Sequence, residues 1–185
     1  MPVVIGGKPE SSFADPIGLL GDCHRRIERF LSVLVQIAAE AHGSSLSDDQ
    51  RKGWDTALRY FREAAPKHTA DEEESLFPRL RGINRPEVRA LLSRVDTLEE
   101  EHVCAGKAHD EVDRLGRLWL DDGSLSPERA LRISTLLAQL SELYRRHIAM
   151  EDDEVFPLAA AVLSVPERKA IGGEMASRRS LKPKL

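Results

Sequence analysis

The chain has 185 residues, enough for one domain with a substantial core. Charged residues make up 31% and apolar residues 41%, a balance that fits a soluble globular protein and excludes a disordered chain. With 27 basic against 31 acidic residues the net charge is −4, so no basic excess points to nucleic acid.

Residues 1–14 read as an irregular lead, with Pro2, Gly6, Gly7 and Pro9. The start, MPVVIGGKPESSF, lacks a basic region leading into an apolar one and is not expected to be a secretory signal. Asp15-Pro16 marks a helix N-terminus, and apolar positions at Ile17, Leu20, Ile27, Leu31, Leu34 and Ala38 carry the first helix through His24 to Gly43. Ser47 and Gln50 form a capping box for a second helix, whose stripe runs Trp54, Leu58, Phe61, Ala65, His68, Glu72, Leu76 and ends near Arg81. Pro66 predicts a kink inside it. Pro86 opens a third helix through Leu98, His102, Ala105 and Val112 to a stop at Asp122-Gly123. Ser126-Pro127 opens the fourth, with Ile133, Leu137, Leu140, Tyr144, His147, Glu151 and Val155 on its stripe.

Four amphipathic helices on short polar loops predict an all-α fold, an antiparallel up-down-up-down four-helix bundle over residues 15–165. A short helix from Pro166 to about Ser177 and a basic tail would complete the chain over 166–185. That tail reads as a solvated, frayed end. The longest uncharged stretch, Val155 to Pro166, is 12 residues and too short to span a bilayer. Two cysteines, Cys23 and Cys104, make no disulfide framework, and a reducing cytoplasm is the expected location.

Each stripe holds a histidine where an apolar residue belongs. Two stripes add a glutamate four residues later, His68/Glu72 and His147/Glu151, and side chains four apart share one face. A buried carboxylate is costly unless it is paired or bound to a metal. The segment 68–78, HTADEEESLFP, repeats as HIAMEDDEVFP at 147–157, identical at five of eleven positions. Measured from the end holding the first and third loops, His24, His68, His102 and His147 lie about 26–30 Å down their helices at 1.5 Å per residue. They therefore share one layer. Four imidazoles and two carboxylates in a bundle core suit a borderline transition metal, with a pair of bridged irons the best match.

DPIGLLGDCHRRI around His24, HTADEEESLFP, LEEEH ending at His102 and HIAMEDDEVFP together resemble the hemerythrin-like, HHE-type cation-binding family. The resemblance implies a non-haem di-iron centre in a four-helix bundle. Carried over by motif position, His24, His68, His102 and His147 are terminal ligands, and Glu72 and Glu151 bridge two iron ions. Two departures stand out. Oxygen-carrying members have a second histidine one turn from the third-helix ligand, where this chain has Leu98 and Gly106. They also place an aspartate five residues after the last-helix histidine. Here Asp152 holds that place, but about 140° from the correct face of a regular helix, so Glu151 is preferred unless the helix bulges.

The remaining candidates read as structural. Glu73, Glu74, Asp152, Asp153 and Glu99 to Glu101 are expected to be solvated charges, His109 to be packed near the centre, and Phe77, Phe156 and Tyr144 to plug the core. Cys23 and Cys104 do not point with their histidines and read as inert. The expected function is binding or sensing of oxygen, nitric oxide or iron and redox state, with a small diatomic ligand or peroxide as partner. The alternatives are a di-iron oxidoreductase acting on oxygen or peroxide, and an interaction bundle with one adventitious metal. No catalytic residues, nucleic acid or membrane enter this reading.

Overall fold

A computed structural model describes residues 11–180. All regular structure among them is helical, and no helix is long and apolar enough to cross a membrane. Helix α1 spans Pro16–Ala41, with the Asp15 side chain accepting a hydrogen bond from the Gly18 N–H. His42 and Gly43 then turn the chain through left-handed conformations at φ 47° and 81°. Helix α2, Asp48–Glu63, opens on the expected reciprocal bonds between Ser47 and Gln50. Helix α5, Pro86–Asp122, stops at Gly123 with φ 78°, and α6, Pro127–Met150, is capped by Ser126.

The second and fourth helices are not continuous. The break expected at Pro66 falls at Ala64, after which α3 runs Ala65–Asp71. A π-helical turn, Glu72–Leu76, then leads into α4, Phe77–Arg81. The fourth helix repeats this, with a π turn at Glu151–Val155 between α6 and α7, Phe156–Val162. The cause lies in the Phe-Pro of each repeat. A proline at position 78 or 157 has no N–H and collides with the carbonyl four residues back in a regular α-helix. Widening the turn by one residue relieves this, and the Phe77 and Phe156 N–H groups reach back five residues to the Glu72 and Glu151 carbonyls.

Four rods contact one another in a ring: α1 lies on α2 and α6, and α5 on the same two. At one end the Trp119 Nε1–H donates to the Ser44 carbonyl at 2.8 Å, and Arg51 donates to the Leu120 carbonyl at 2.7 Å. Close contact there needs Gly116, where a Cβ would sit 2.7 Å from Trp54 Nε1. The apolar core is divided in two. One cluster, built around Trp54, Leu58, Trp119 and Leu137, fills this end; the other, around Leu20, Leu76, Phe77 and Leu98, fills the opposite end. A polar layer separates them.

The C-terminal segment departs from expectation. Helix α8, Val165–Ser180, packs on α1 and α3, with Ile171 and Met175 fully buried. Arg178 and Arg179 donate to the two oxygens of Asp71 at 3.0 and 2.6 Å. Asp71 is wholly buried, and a buried carboxylate holds cationic partners strongly. The tail as far as Ser180 is therefore part of the fold rather than a frayed end. Lys182 and Lys184, and most of the irregular lead, lie outside the described residues.

Candidate metal centre

The polar layer contains the six residues singled out above. His24, His68, His147, Glu72 and Glu151 are buried, and the His102 side chain is 7% exposed. Their Nε2 atoms face the two carboxylates. Glu72 Oε1 lies 3.3 Å from His68 and 3.9 Å from His24, while its Oε2 lies 3.4 Å from His102. Glu151 Oε2 lies 3.0 Å from His24 and 3.3 Å from His147. Both carboxylates thus span imidazoles from both sides of the layer. Two overlapping groups could each hold a cation: His24, His68, Glu72 and Glu151, and His102, His147 and Glu151.

All four carboxylate oxygens are buried without a hydrogen-bond partner. Two such groups facing each other are strongly unfavourable in a dry core. Burial, then the charge of Glu151, holds the Glu72 pKa well above the usual carboxylate range. Burial also lowers His68 well below 6.5, reinforced by the neighbouring imidazoles of His24, His102 and His147. His102 is lowered by burial and by His147, against the opposing pull of Glu151 and Glu73. At His24 burial acts downward, but Asp152 and Glu151 outweigh it and raise the pKa to about 9. Imidazole nitrogens from four rods facing two buried carboxylates form a donor set that a divalent transition ion satisfies and that protons alone do not.

The π turns settle which residue of each acidic run faces inward. Glu72 and Glu151 stand four residues after their histidines, and the widening begins at that point. Asp152 does not join the layer. It accepts a hydrogen bond from His24 Nδ1 at 2.8 Å. Glu73, its counterpart, pairs with His102 Nδ1 at 2.9 Å, and Glu101 pairs with His147 Nδ1 at 2.9 Å. The sequence predicts solvated charges at these three positions, and the structure instead pairs each with an imidazole. They hold imidazole rings with Nε2 turned inward, a role carboxylates commonly play beside metal-binding histidines. The signal was present in the sequence: both repeats place an acid directly after the inward glutamate. The phenylalanines also do more than plug the core. Phe156 stacks on His24 with ring centroids 5.1 Å apart, and Phe77 on His102 at 6.4 Å.

A cavity of about 330 Å³ adjoins the layer on the Trp54 side, with all four histidines at one end and Leu34, Leu58 and Val112 further along. Gly106, one turn after His102, lines it, while Leu98 is buried in the opposite core cluster. Near the layer His109 Nε2 and the Tyr144 hydroxyl hydrogen-bond at 3.0 Å. Cys23 is buried, Cys104 is exposed, and both are free thiols.

Comparison with known proteins agrees with this geometry. Residues 15–159 match the hemerythrin HHE cation binding domain. An uncharacterized protein of Haemophilus influenzae is 30% identical over 178 residues, covering 93% of this chain and 94% of that protein. The match spans every rod of the bundle and every residue of the polar layer, and the chain belongs to the hemerythrin HHE cation-binding family.

Proposed function

We propose that this chain is a non-haem di-iron protein that binds or senses oxygen, nitric oxide or the iron and redox state of the cytoplasm. The observation that carries the reading is the pair of buried, unpartnered carboxylates reached by imidazoles from all four rods. In this reading the rods form an up-down-up-down bundle. His24 and His68 would hold one ion and His102 and His147 the other, with Glu72 and Glu151 shared between them. Bound iron would supply reversible redox change and a coordination position for a small ligand. The chain's own residues do the rest. Asp152, Glu73 and Glu101 keep imidazole Nε2 atoms aimed inward, and the two apolar clusters pack on either side of the layer.

The test is iron quantitation with an optical spectrum, before and after oxidation, on protein purified without added metal. About two irons per chain and a visible band shifted by azide or oxygen without turnover are expected for a paired site. One ion or none, with no such band, overturns the reading. The cavity beside the layer favours a second reading, a di-iron oxidoreductase acting on oxygen or peroxide, because it offers room for a reactant larger than a diatomic. Sustained oxygen or peroxide consumption would select it.

A further inference from the structure

We propose that the cavity below the polar layer is a binding site for an uncharged, mostly apolar organic molecule carrying one hydrogen-bond-accepting oxygen, held by Tyr144 and His109. This goes beyond the metal centre and does not require it.

The cavity is too large and too long to be accounted for by the metal layer. Its lining descends from His24 to Leu34 on α1 and from His102 to Val112 on α5, ten residues in each case. That is about 15 Å of bundle axis. Its volume of about 330 Å³ falls within the roughly 300–1,000 Å³ typical of small-molecule sites. A cavity of about 150 Å³ already accepts benzene. The walls away from the histidines, including Ile27, Leu58, Phe61 and Ile148, are apolar and rigidly placed in the core.

Away from the layer and the charged rim, the polar side chains of the lining are Tyr144 and His109. His109 stacks on Phe61 with ring centroids 4.1 Å apart, and burial lowers its pKa to about 4, so it is a neutral imidazole at neutral pH. The phenol and the neutral imidazole own one proton each. Their mutual bond uses one, and His109 Nδ1 is shielded from solvent without a partner. Whichever tautomer is present, one donor of the pair remains unmatched, and with His109 Nε2–H bonded to the phenol it is the Tyr144 hydroxyl that offers it. A buried donor costs free energy until an acceptor meets it, so the pair selects a ligand bearing oxygen over its hydrocarbon analogue.

The same walls reject charge. Apart from the histidines of the layer, the charged residues of the lining are Arg62, Asp110 and Asp113, which stand where it reaches the surface between α2 and α5, with Arg62 paired to Asp113 at 2.8 Å. Deeper in, between that rim and the layer, a charged ligand would be desolvated against apolar walls without compensation. Gly106 leaves the lining open on α5, since an added Cβ there would meet nothing within 4 Å.

The test is equilibrium dialysis of the iron-loaded protein against benzyl alcohol and toluene, with iron measured in the same samples. Saturable uptake of one benzyl alcohol per chain is expected. In the double variant His109→Phe/Tyr144→Phe both donors are gone while ring shapes are kept, a replacement that leaves folding nearly neutral. The ratio of benzyl alcohol to toluene affinity should fall at least tenfold. Ala105→Leu, or Ala65→Leu should the first fail to fold, should weaken both ligands at least tenfold with iron content unchanged. Uptake that persists in protein that takes up no iron supports the cavity independently of the metal centre. Absence of saturable uptake in fully iron-loaded protein, or an unchanged affinity ratio in the double variant, overturns the proposal.

Discussion

The segments 68–78 and 147–157 share a histidine, a glutamate four residues on, an acid directly after it, and Phe-Pro, and both contain a π-helical turn. Each serves a histidine on a neighbouring rod in the same way. Glu73 and Phe77 of the first repeat hold His102; Asp152 and Phe156 of the second hold His24. Where the repeats differ, their surroundings differ too. Asp71 of the first is buried under Arg178 and Arg179 of α8, while Met150 stands at the equivalent place in the second and packs among apolar side chains. The residue before His102 is Glu101, which bonds His147 Nδ1; the residue before His24 is Cys23, and His68 Nδ1 has no partner. Identical residues thus produce an identical local turn, and unequal neighbours make the two halves of the layer unequal.

The largest effect should come from removing what both halves share. Glu72→Ala with Glu151→Ala takes away the carboxylates that contact imidazoles on both sides, and metal content should fall from about two ions per chain to near none. Metal analysis with circular dichroism checks this, and full retention of metal would refute the ligand assignment.

Next comes the position where the repeats differ most. Asp71→Ala removes the buried carboxylate that both guanidinium groups share, leaving Arg178 with Glu74 and Ser75 and Arg179 with the Met175 carbonyl. The loss should be about 2–3 kcal/mol, below the roughly 3–5 of a fully buried pair because the arginines keep some contact with water. Met150→Ala, at the equivalent place, should cost about 1 kcal/mol for a partly buried side chain. Urea unfolding of the two variants measures the difference, and equal losses would mean that α8 does not distinguish the repeats.

A smaller change tests the orienting carboxylates. Glu101→Cys makes the second half resemble the first, and metal affinity should weaken by about 10–100-fold. Competition with a chelator reads this directly. An unchanged affinity would show that the His147 ring keeps its orientation without Glu101.

The smallest effect is in pH dependence of the metal-free protein. His24 has a folded pKa of about 9, above its ordinary value of 6.5. Its contribution to stability is full below pH about 6.5 and is lost as pH rises through about 9. His109 is depressed to about 4, so its contribution is present above pH about 6.5 and is lost as pH falls toward 4. Chemical unfolding across pH 4–9 should show both slopes, with the acid one reduced in His109→Phe and the remainder carried by the depressed His68 and His102.

Much of the centre was legible because helical periodicity converts spacing into facing. His68 and Glu72, or His147 and Glu151, must share a face whatever surrounds them. Equal depths along four rods follow from a constant rise per residue. The acid after each glutamate was misread for the same reason: on a regular helix it turns toward solvent, and only the π turn brings it to a ring on the neighbouring rod. Glu101 escaped notice because its partner is 46 residues away and on another helix.

Local spacing on its own determined the helices, their caps and which six side chains belong to the polar layer, because these depend on contacts within one or two turns. Tertiary packing decided the rest. Which carboxylate steadies which imidazole, whether a basic C-terminal helix docks on Asp71, and that an apolar cavity opens beside His109 and Tyr144 all depend on distances between rods. No single helix encodes those distances.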